Sequence, residues 1–229
     1  MNNYMRAAFA AVACMALGVA NANADLLNNG SFELGKFVNQ GGAETDTFNA
    51  GATDITGWTV VGRQLSWINT GNPWGLSAQD GNLFLDLTAF NSGPPFGGVT
   101  QTISTVAGDQ YSLDFELGSY TRRWGGPPVS IVASAGATSQ TFTVSTTSTS
   151  STWTPFSLAF TATGPSTVIT LTGAAGVAYI GLDNVSVNET AGGLAPEPAS
   201  SSFALLGLGL GLCGWAKRRW SAGRARLRT

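Results

Sequence analysis

The chain has 229 residues, of which 43 % are apolar and 10 % charged, and it contains no histidine. A chain with this much apolar and this little charged sequence is not disordered throughout, and its length fits one packed domain of ordinary size. Residues 25–195 carry 12 acids and 4 bases, whereas residues 217–228 carry six bases and no acid. An acidic domain argues against nucleic acid as a partner, because binding phosphate needs a basic face.

The first 24 residues have the three parts of a secretory signal peptide. Arg6 supplies the positive start, and residues 7–19 are an apolar stretch of the length of a leader, too short to span a membrane comfortably. Residues 22–24 (ANA) give the small-x-small pattern that signal peptidase accepts. We therefore predict cleavage before Asp25, and the alternative is an uncleaved anchor.

Residues 25–189 form the central unit, and residues 190–195 (TAGGLA) are typical of a flexible linker. No stretch of this unit has sustained helical periodicity. Short segments with strand character recur between Gly, Pro, Asn and Ser, at residues 57–62, 83–87, 99–105, 110–117, 129–135, 139–144, 156–161, 167–171 and 179–187. The longer polar stretch 36–53 is predicted to be a loop. Many short strands without helices predict an all-β fold, a single jelly-roll β-sandwich.

Loop aromatics are the candidate ligand-binding residues. Sugar rings stack their C–H faces on aromatic side chains, while their hydroxyls bond to polar neighbours. Predicted loops contain Trp74, Phe96, Tyr120, Arg122, Arg123 and Trp124. The alternative for each aromatic is that it folds back to close an open end of the sandwich. Trp58 and Trp153 adjoin strands and are predicted to lie in the core.

The residue inventory excludes several kinds of catalysis. The two cysteines, Cys14 and Cys213, fall in the leader and the tail, so the central unit has neither Cys nor His. Cysteine nucleophiles, His-based triads and Cys/His zinc sites are thereby excluded. A glycosidase needs only two carboxylates, and Asp114 and Glu116 share one face of a strand, with Asp86 as a possible neighbour. The alternative is that these acids are solvated outer-face residues or hold loops.

A set of ordered motifs carries a family resemblance. They are residues 26–33 (LLNNGSFE), 55–58 (ITGW), 80–81 (DG) with 85–87 (LDL), 99–102 (VTQT) and 181–187 (GLDNVSV). In this order they resemble the choice-of-anchor C family, which belongs with galactose-binding-like β-sandwiches and is similar to secreted plant cell-wall proteins. The resemblance implies a jelly roll akin to carbohydrate-binding modules, and it names no ligand.

The first and last motifs suggest one structural Ca²⁺. Glu33 follows a turn in the opening motif, and Asp183 begins the closing one. The first and last strands of a jelly roll commonly lie side by side, and two carboxylates brought together repel unless a cation or proton lies between them. The resemblance adds weight, since many carbohydrate-binding modules carry calcium near such motifs. The alternative is that both carboxylates accept backbone hydrogen bonds.

The C-terminal segment 196–229 has three parts in a fixed order. Pro196-Glu197-Pro198 comes first, residues 203–216 form a short apolar helix, and a basic end follows. By the positive-inside rule the basic end stays cytoplasmic, so the helix anchors the precursor transiently in the inner membrane. This order resembles the PEP-CTERM sorting signal of Gram-negative bacteria that make extracellular polysaccharide. The resemblance implies removal of the tail by an exosortase; the alternative is a simple tail anchor.

Together these observations predict an exported, envelope-sorted, non-catalytic β-sandwich that binds carbohydrate, with extracellular polysaccharide as its partner. Signal peptidase and exosortase would process it, and it would end at the cell surface or in the extracellular matrix. A structural matrix protein without a specific glycan is the second interpretation, and a carboxylate glycosidase is the third.

Overall fold

The computed structural model describes residues 25–90, 93–120, 128–145, 151–176 and 179–191. These residues form eleven β-strands: β1 (Thr45–Asn49), β2 (Thr59–Gly62), β3 (Gln64–Asn69), β4 (Leu83–Asp86), β5 (Gly97–Ser104), β6 (Gln110–Ser119), β7 (Val129–Ala135), β8 (Thr138–Val144), β9 (Thr152–Thr161), β10 (Ser166–Ala175) and β11 (Gly181–Ala191). Strand β11 therefore includes the first two residues that the sequence assigned to the linker.

The strands form two antiparallel sheets. One has six strands in the order β1-β3-β4-β11-β6-β9, and the other has five in the order β2-β5-β10-β7-β8. The prediction of an all-β two-sheet sandwich is confirmed. No helix of the described ranges is long and apolar enough to cross a membrane. The predicted leader 1–24, the sorting motif Pro196-Glu197-Pro198 and the apolar helix 203–216 lie outside the described residues.

Alternating side chains build the core between the sheets. In β6, Tyr111, Leu113, Phe115 and Leu117 are buried, while the residues between them lie on the outer face. The inner face of the opposite sheet contributes apolar residues such as Ile169. Trp58 lies in this core as predicted, whereas Trp153 is half-buried and packs on a second cluster outside the six-stranded sheet.

Two strands were missed by the sequence patterns. Strand β1 lies inside the stretch predicted to be a polar loop, and β3 follows β2 after a single residue. Strand β1 is an edge strand that pairs with β3 among the described strands. Its buried Asp46 accepts hydrogen bonds from the Val38 backbone N–H (2.9 Å) and the Gln40 side chain (2.6 Å). A buried acid with local donors hides the hydrophobic alternation on which strand prediction depends.

The opening motif is held by two tryptophans. Trp58 donates its indole N–H to the Asn29 carbonyl (2.8 Å), and Trp67 donates to the Phe32 carbonyl (3.0 Å). Asn29 and Phe32 have positive φ values of 62° and 58°, so the chain turns sharply here. The Val185 N–H then bonds to the Gly30 carbonyl at 2.9 Å. The opening segment thus lies beside β11, as the sequence predicted for the two ends of the domain.

Candidate functional site

The loop between β3 and β4, residues 70–82, covers part of the outer face of the six-stranded sheet. Its Leu76 packs with Ile68, Phe84 and Tyr179 in a buried cluster outside the main core. Half-buried Trp74, Ala78, Tyr120 and Trp153 pack around this cluster. The outer face therefore carries aromatic and apolar side chains that a solvent-facing sheet surface ordinarily lacks.

Asn72 organises this loop. Its side-chain amide donates to the Asn69 carbonyl (2.8 Å) and the Leu76 carbonyl (2.7 Å). Its side-chain oxygen accepts the backbone N–H groups of Trp74 and Leu76, both at 3.1 Å. Each polar atom of this buried amide is therefore satisfied locally. The result is a compact turn that places Leu76 on the cluster and Trp74 at its margin.

A cavity of about 290 Å³ lies beside this loop, and we call it the sheet-face cavity. Its described lining residues come from six separate parts of the chain: Thr45, Ser66, Ile68, Trp74, Leu76, Asp86, Ala89, Phe90, Tyr120 and Tyr179. The polar members Thr45, Ser66 and Asp86 belong to adjacent strands of the sheet, and aromatic side chains stand around them. A cavity with apolar walls and a few placed polar groups is the usual form of a small-molecule site.

Asp86 supplies the charge of the cavity. Its Oδ1 accepts the N–H groups of Ile180 (3.0 Å) and Thr88 (2.9 Å) and the Thr88 hydroxyl (2.8 Å). Among the described residues, the donor to its Oδ2 is the Thr88 hydroxyl, at 3.0 Å. Burial raises the pKa of Asp86 to about 6, against the lowering effect of these donors. At neutral pH it is therefore an ionised acceptor with lone pairs to spare on Oδ2.

Phe90 forms the exposed rim of the cavity. Its side chain is 79 % exposed, the largest exposed fraction among the large apolar side chains of the described residues. The preceding Ala89 has a φ of 48°, a left-handed conformation that costs a non-glycine residue on the order of 1–2 kcal/mol. Residues in strained backbone conformations occur preferentially at active sites and ligand-binding sites. The sequence patterns pointed to Phe96, six residues further along, and missed Phe90.

The predicted ligand-binding aromatics have different outcomes. Trp74 and Tyr120 are 46 positions apart in sequence, yet both line the sheet-face cavity. Phe96 is a correction: its side chain is only 1 % exposed and belongs to the core between the sheets, so no sugar can stack on it. Phe96 lies just before β5 and joins Val99 and Ile103 of that strand in the same core cluster. Arg122, Arg123 and Trp124 lie outside the described residues.

The two predicted calcium ligands hold one segment of the chain. Asp183 Oδ2 accepts the N–H groups of Gln79 (2.8 Å) and Asp80 (3.0 Å). Glu33 Oε1 accepts the N–H groups of Asn82 (2.8 Å) and Leu83 (2.6 Å). The opening and closing motifs therefore clamp the end of the covering loop from both sides.

Each of these two oxygen atoms accepts two N–H groups, which occupy the lone pairs that a calcium ion would need. The remaining Asp183 oxygen accepts the Asn184 N–H at 2.7 Å, and the described residues contain no cluster of three or more metal-ligating side chains. This arrangement fits the alternative role, in which both carboxylates accept backbone hydrogen bonds. Calcium stays a prediction, which thermal unfolding with calcium and with chelator tests, using Glu33→Gln as the variant.

The acids considered for a glycosidase are divided between two places. Asp114 and Glu116 line a separate, shallow groove of about 280 Å³ on the same outer face, with Asn184 and Ser186 of β11 opposite them. Asp86 lies in the sheet-face cavity, two strands from β6. Among the described residues that line the cavity, Asp86 is the single carboxylate. The paired carboxylates of a glycosidase are therefore not assembled around that cavity.

The fold and the cavity define a two-sheet antiparallel β-sandwich with a ligand-sized cavity on one outer sheet face. The chain belongs to the family described as "Protein of unknown function (DUF642)", whose model matches residues 25–179. No curated protein is significantly similar to the chain in sequence.

Several solved structures are similar to the sandwich. A family 4 carbohydrate-binding module ("CBM4 structure and function") is 17 % identical over 71 % of this chain and 99 % of its own, with a TM-score of 0.38. TmCBM61 in complex with β-1,4-galactotriose is 18 % identical over 72 % of this chain and 99 % of its own, with a TM-score of 0.41. Tailspike protein 4 of bacteriophage CBA120 is 15 % identical over 72 % and 21 %, with a TM-score of 0.44. At this level of similarity, none of the three assigns a function.

Proposed function

We propose that this protein is an exported, non-catalytic β-sandwich that binds carbohydrate in the sheet-face cavity, with extracellular polysaccharide as its partner. The convergence of Trp74 and Tyr120 on a floor that contains Ser66 and Asp86 carries the proposal. Aromatic faces match the C–H faces of a sugar ring, and the Asp86 carboxylate can accept its hydroxyl groups. The single carboxylate of the described lining supports binding over hydrolysis.

The proposed route to the cell surface comes from the two ends of the sequence. Signal peptidase would release the chain before Asp25, and an exosortase would remove the tail that begins with Pro196-Glu197-Pro198. The precursor would be held briefly in the inner membrane by residues 203–216. A polysaccharide-binding domain delivered in this way would remain where the polymer accumulates, at the surface or in the matrix of a Gram-negative cell.

The test is binding of the purified protein to a glycan array and to the exopolysaccharide of its host, followed by titration calorimetry on the best ligand. Trp74→Ala is expected to weaken binding about tenfold or more, which corresponds to about 1.4 kcal/mol. Tyr120→Ala should act in the same direction. Both residues are half-buried at the margin of the second cluster, so thermal unfolding must be measured alongside.

Phe37→Ala is the matched control. Phe37 is also half-buried, but it packs edge-on against Trp67 with ring centroids 5.4 Å apart and does not line the cavity. Its loss should lower stability and leave affinity unchanged. Absence of any glycan ligand, together with self-association in sedimentation experiments, would replace the proposal with the structural matrix protein. Release of a hydrolysis product would replace it with the glycosidase.

A further inference from the structure

One side of the sheet-face cavity is closed by packed side chains on the outer face of the six-stranded sheet. Leu76, Tyr179 and Trp153 form this barrier between the cavity and the groove of Asp114 and Glu116. Tyr179 and Trp153 each contact Phe84 edge-on, at centroid distances of 6.2 and 5.9 Å. The two concave regions of one sheet face are therefore separated by packed aromatic rings.

Two glycines allow the barrier to lie so close to the sheet. A side chain at Gly181 would overlap the Tyr179 hydroxyl, and a Cβ atom at Gly118 would come within 2.8 Å of it. Gly118 would also come within 2.7 Å of the Trp153 ring. These positions pair directly across β6 and β11. The hydroxyl end of Tyr179 therefore lies directly over β6 and β11 in the six-stranded sheet, where a polymer crossing these strands would have to pass.

The barrier is also fixed from above. Trp153 donates its indole N–H to the Ser77 carbonyl at 3.0 Å. Beyond Ser77, the loop is clamped by Asp183 at Gln79 and Asp80, and by Glu33 at Asn82. Lifting the loop would break these hydrogen bonds. A chain of sugars cannot pass under the loop without breaking several of these hydrogen bonds.

The size of the cavity agrees with its closed end. A hexopyranose unit occupies about 180 Å³, roughly six times the ~30 Å³ share of one liquid water molecule. A cavity of about 290 Å³ therefore holds one ring and part of a second. The second ring would lie at the open side, where Phe90 is exposed.

We propose that the cavity recognises the end of a glycan chain or a one-sugar branch, and that it excludes internal segments of a linear polymer. This inference rests on the proposed carbohydrate-binding function. The terminal ring stacks on Trp74 inside the cavity, with its hydroxyl groups on Asp86 Oδ2 and Ser66. The second ring contacts Phe90.

The experiment measures affinity against chain length, with the protein and neutral glucose, galactose and mannose oligosaccharides of one, two, three and six rings. For a series that binds, affinity per chain end is expected to stay within about threefold from two to six rings. Phe90→Ala should weaken the disaccharide and longer ligands about fivefold or more and leave the monosaccharide within about twofold. Trp74→Ala should weaken all lengths.

Two results would overturn the inference in different ways. Affinity that rises more than about tenfold between two and six rings means that internal segments bind, and it leaves carbohydrate binding intact. Equal weakening of the monosaccharide and the disaccharide by Phe90→Ala removes the assignment of the second ring. No binding to any series, or to the exopolysaccharide of the host, removes the proposed function itself.

Discussion

The stability of this protein is expected to fall as the pH rises from 5 to 8, because of two buried carboxyl groups. The Asp183 side chain is fully buried, and burial raises its pKa from 3.8 to about 7, with a further contribution from nearby Asp80. Three backbone N–H groups lower it, but by less. Asp86 behaves in the same way, with a pKa of about 6.

The direction follows from proton linkage. Between pH 3.8 and about 7, folded Asp183 holds a proton that the unfolded chain has released, so the free energy of unfolding decreases as pH rises through this window. Its contribution is fully present below pH 3.8 and is lost above about pH 7. One pKa unit corresponds to 1.36 kcal/mol, so three units give a ceiling of about 4 kcal/mol. Asp86 is a nearby acid, so its smaller contribution does not simply add.

Urea unfolding followed by tryptophan fluorescence measures this dependence. The unfolding free energy of the purified protein should decline by about 2–4 kcal/mol between pH 5 and pH 8. Asp183→Asn keeps the shape but cannot ionise, so its profile should be flatter over the same window. At pH 5 the variant should be less stable than the parent by about 1–3 kcal/mol, because one backbone N–H faces the new amide donor. Stability that rises from pH 5 to 8, or an unchanged slope in the variant, would refute this reasoning.

Two further predictions concern packing and processing. Gly181→Ala should lower the free energy of unfolding by about 1–3 kcal/mol, because its Cβ would overlap the Tyr179 hydroxyl; thermal unfolding measures the loss. The control is Gly164→Ala, where a Cβ meets no atom within 4 Å, and its stability should be unchanged. Intact-mass measurement of the protein secreted by its own host should give a chain that begins at Asp25 and lacks the basic tail; recovery of a chain ending at Thr229 from a host with a working exosortase contradicts the sorting prediction.

Local alternation was sufficient to predict the class of fold. The pattern of β6, with Tyr111, Leu113, Phe115 and Leu117 on one face, is a local property of a strand that covers a core. The same rule failed for β1, because its inward position is occupied by an acid with local hydrogen-bond donors. Recurring short strands without helical periodicity predicted a two-sheet sandwich.

What the sequence alone determined is thus the all-β class, the buried Trp58 and the proximity of the two end motifs. The tertiary structure alone decided which loop aromatics meet, because Trp74, Phe90 and Tyr120 converge only through strand order and the path of one covering loop. It also decided that Phe96 packs in the core between the sheets, because the path of the chain before β5 sets the position of this side chain. Contacts between distant segments depend on the whole packing arrangement, which no local pattern encodes.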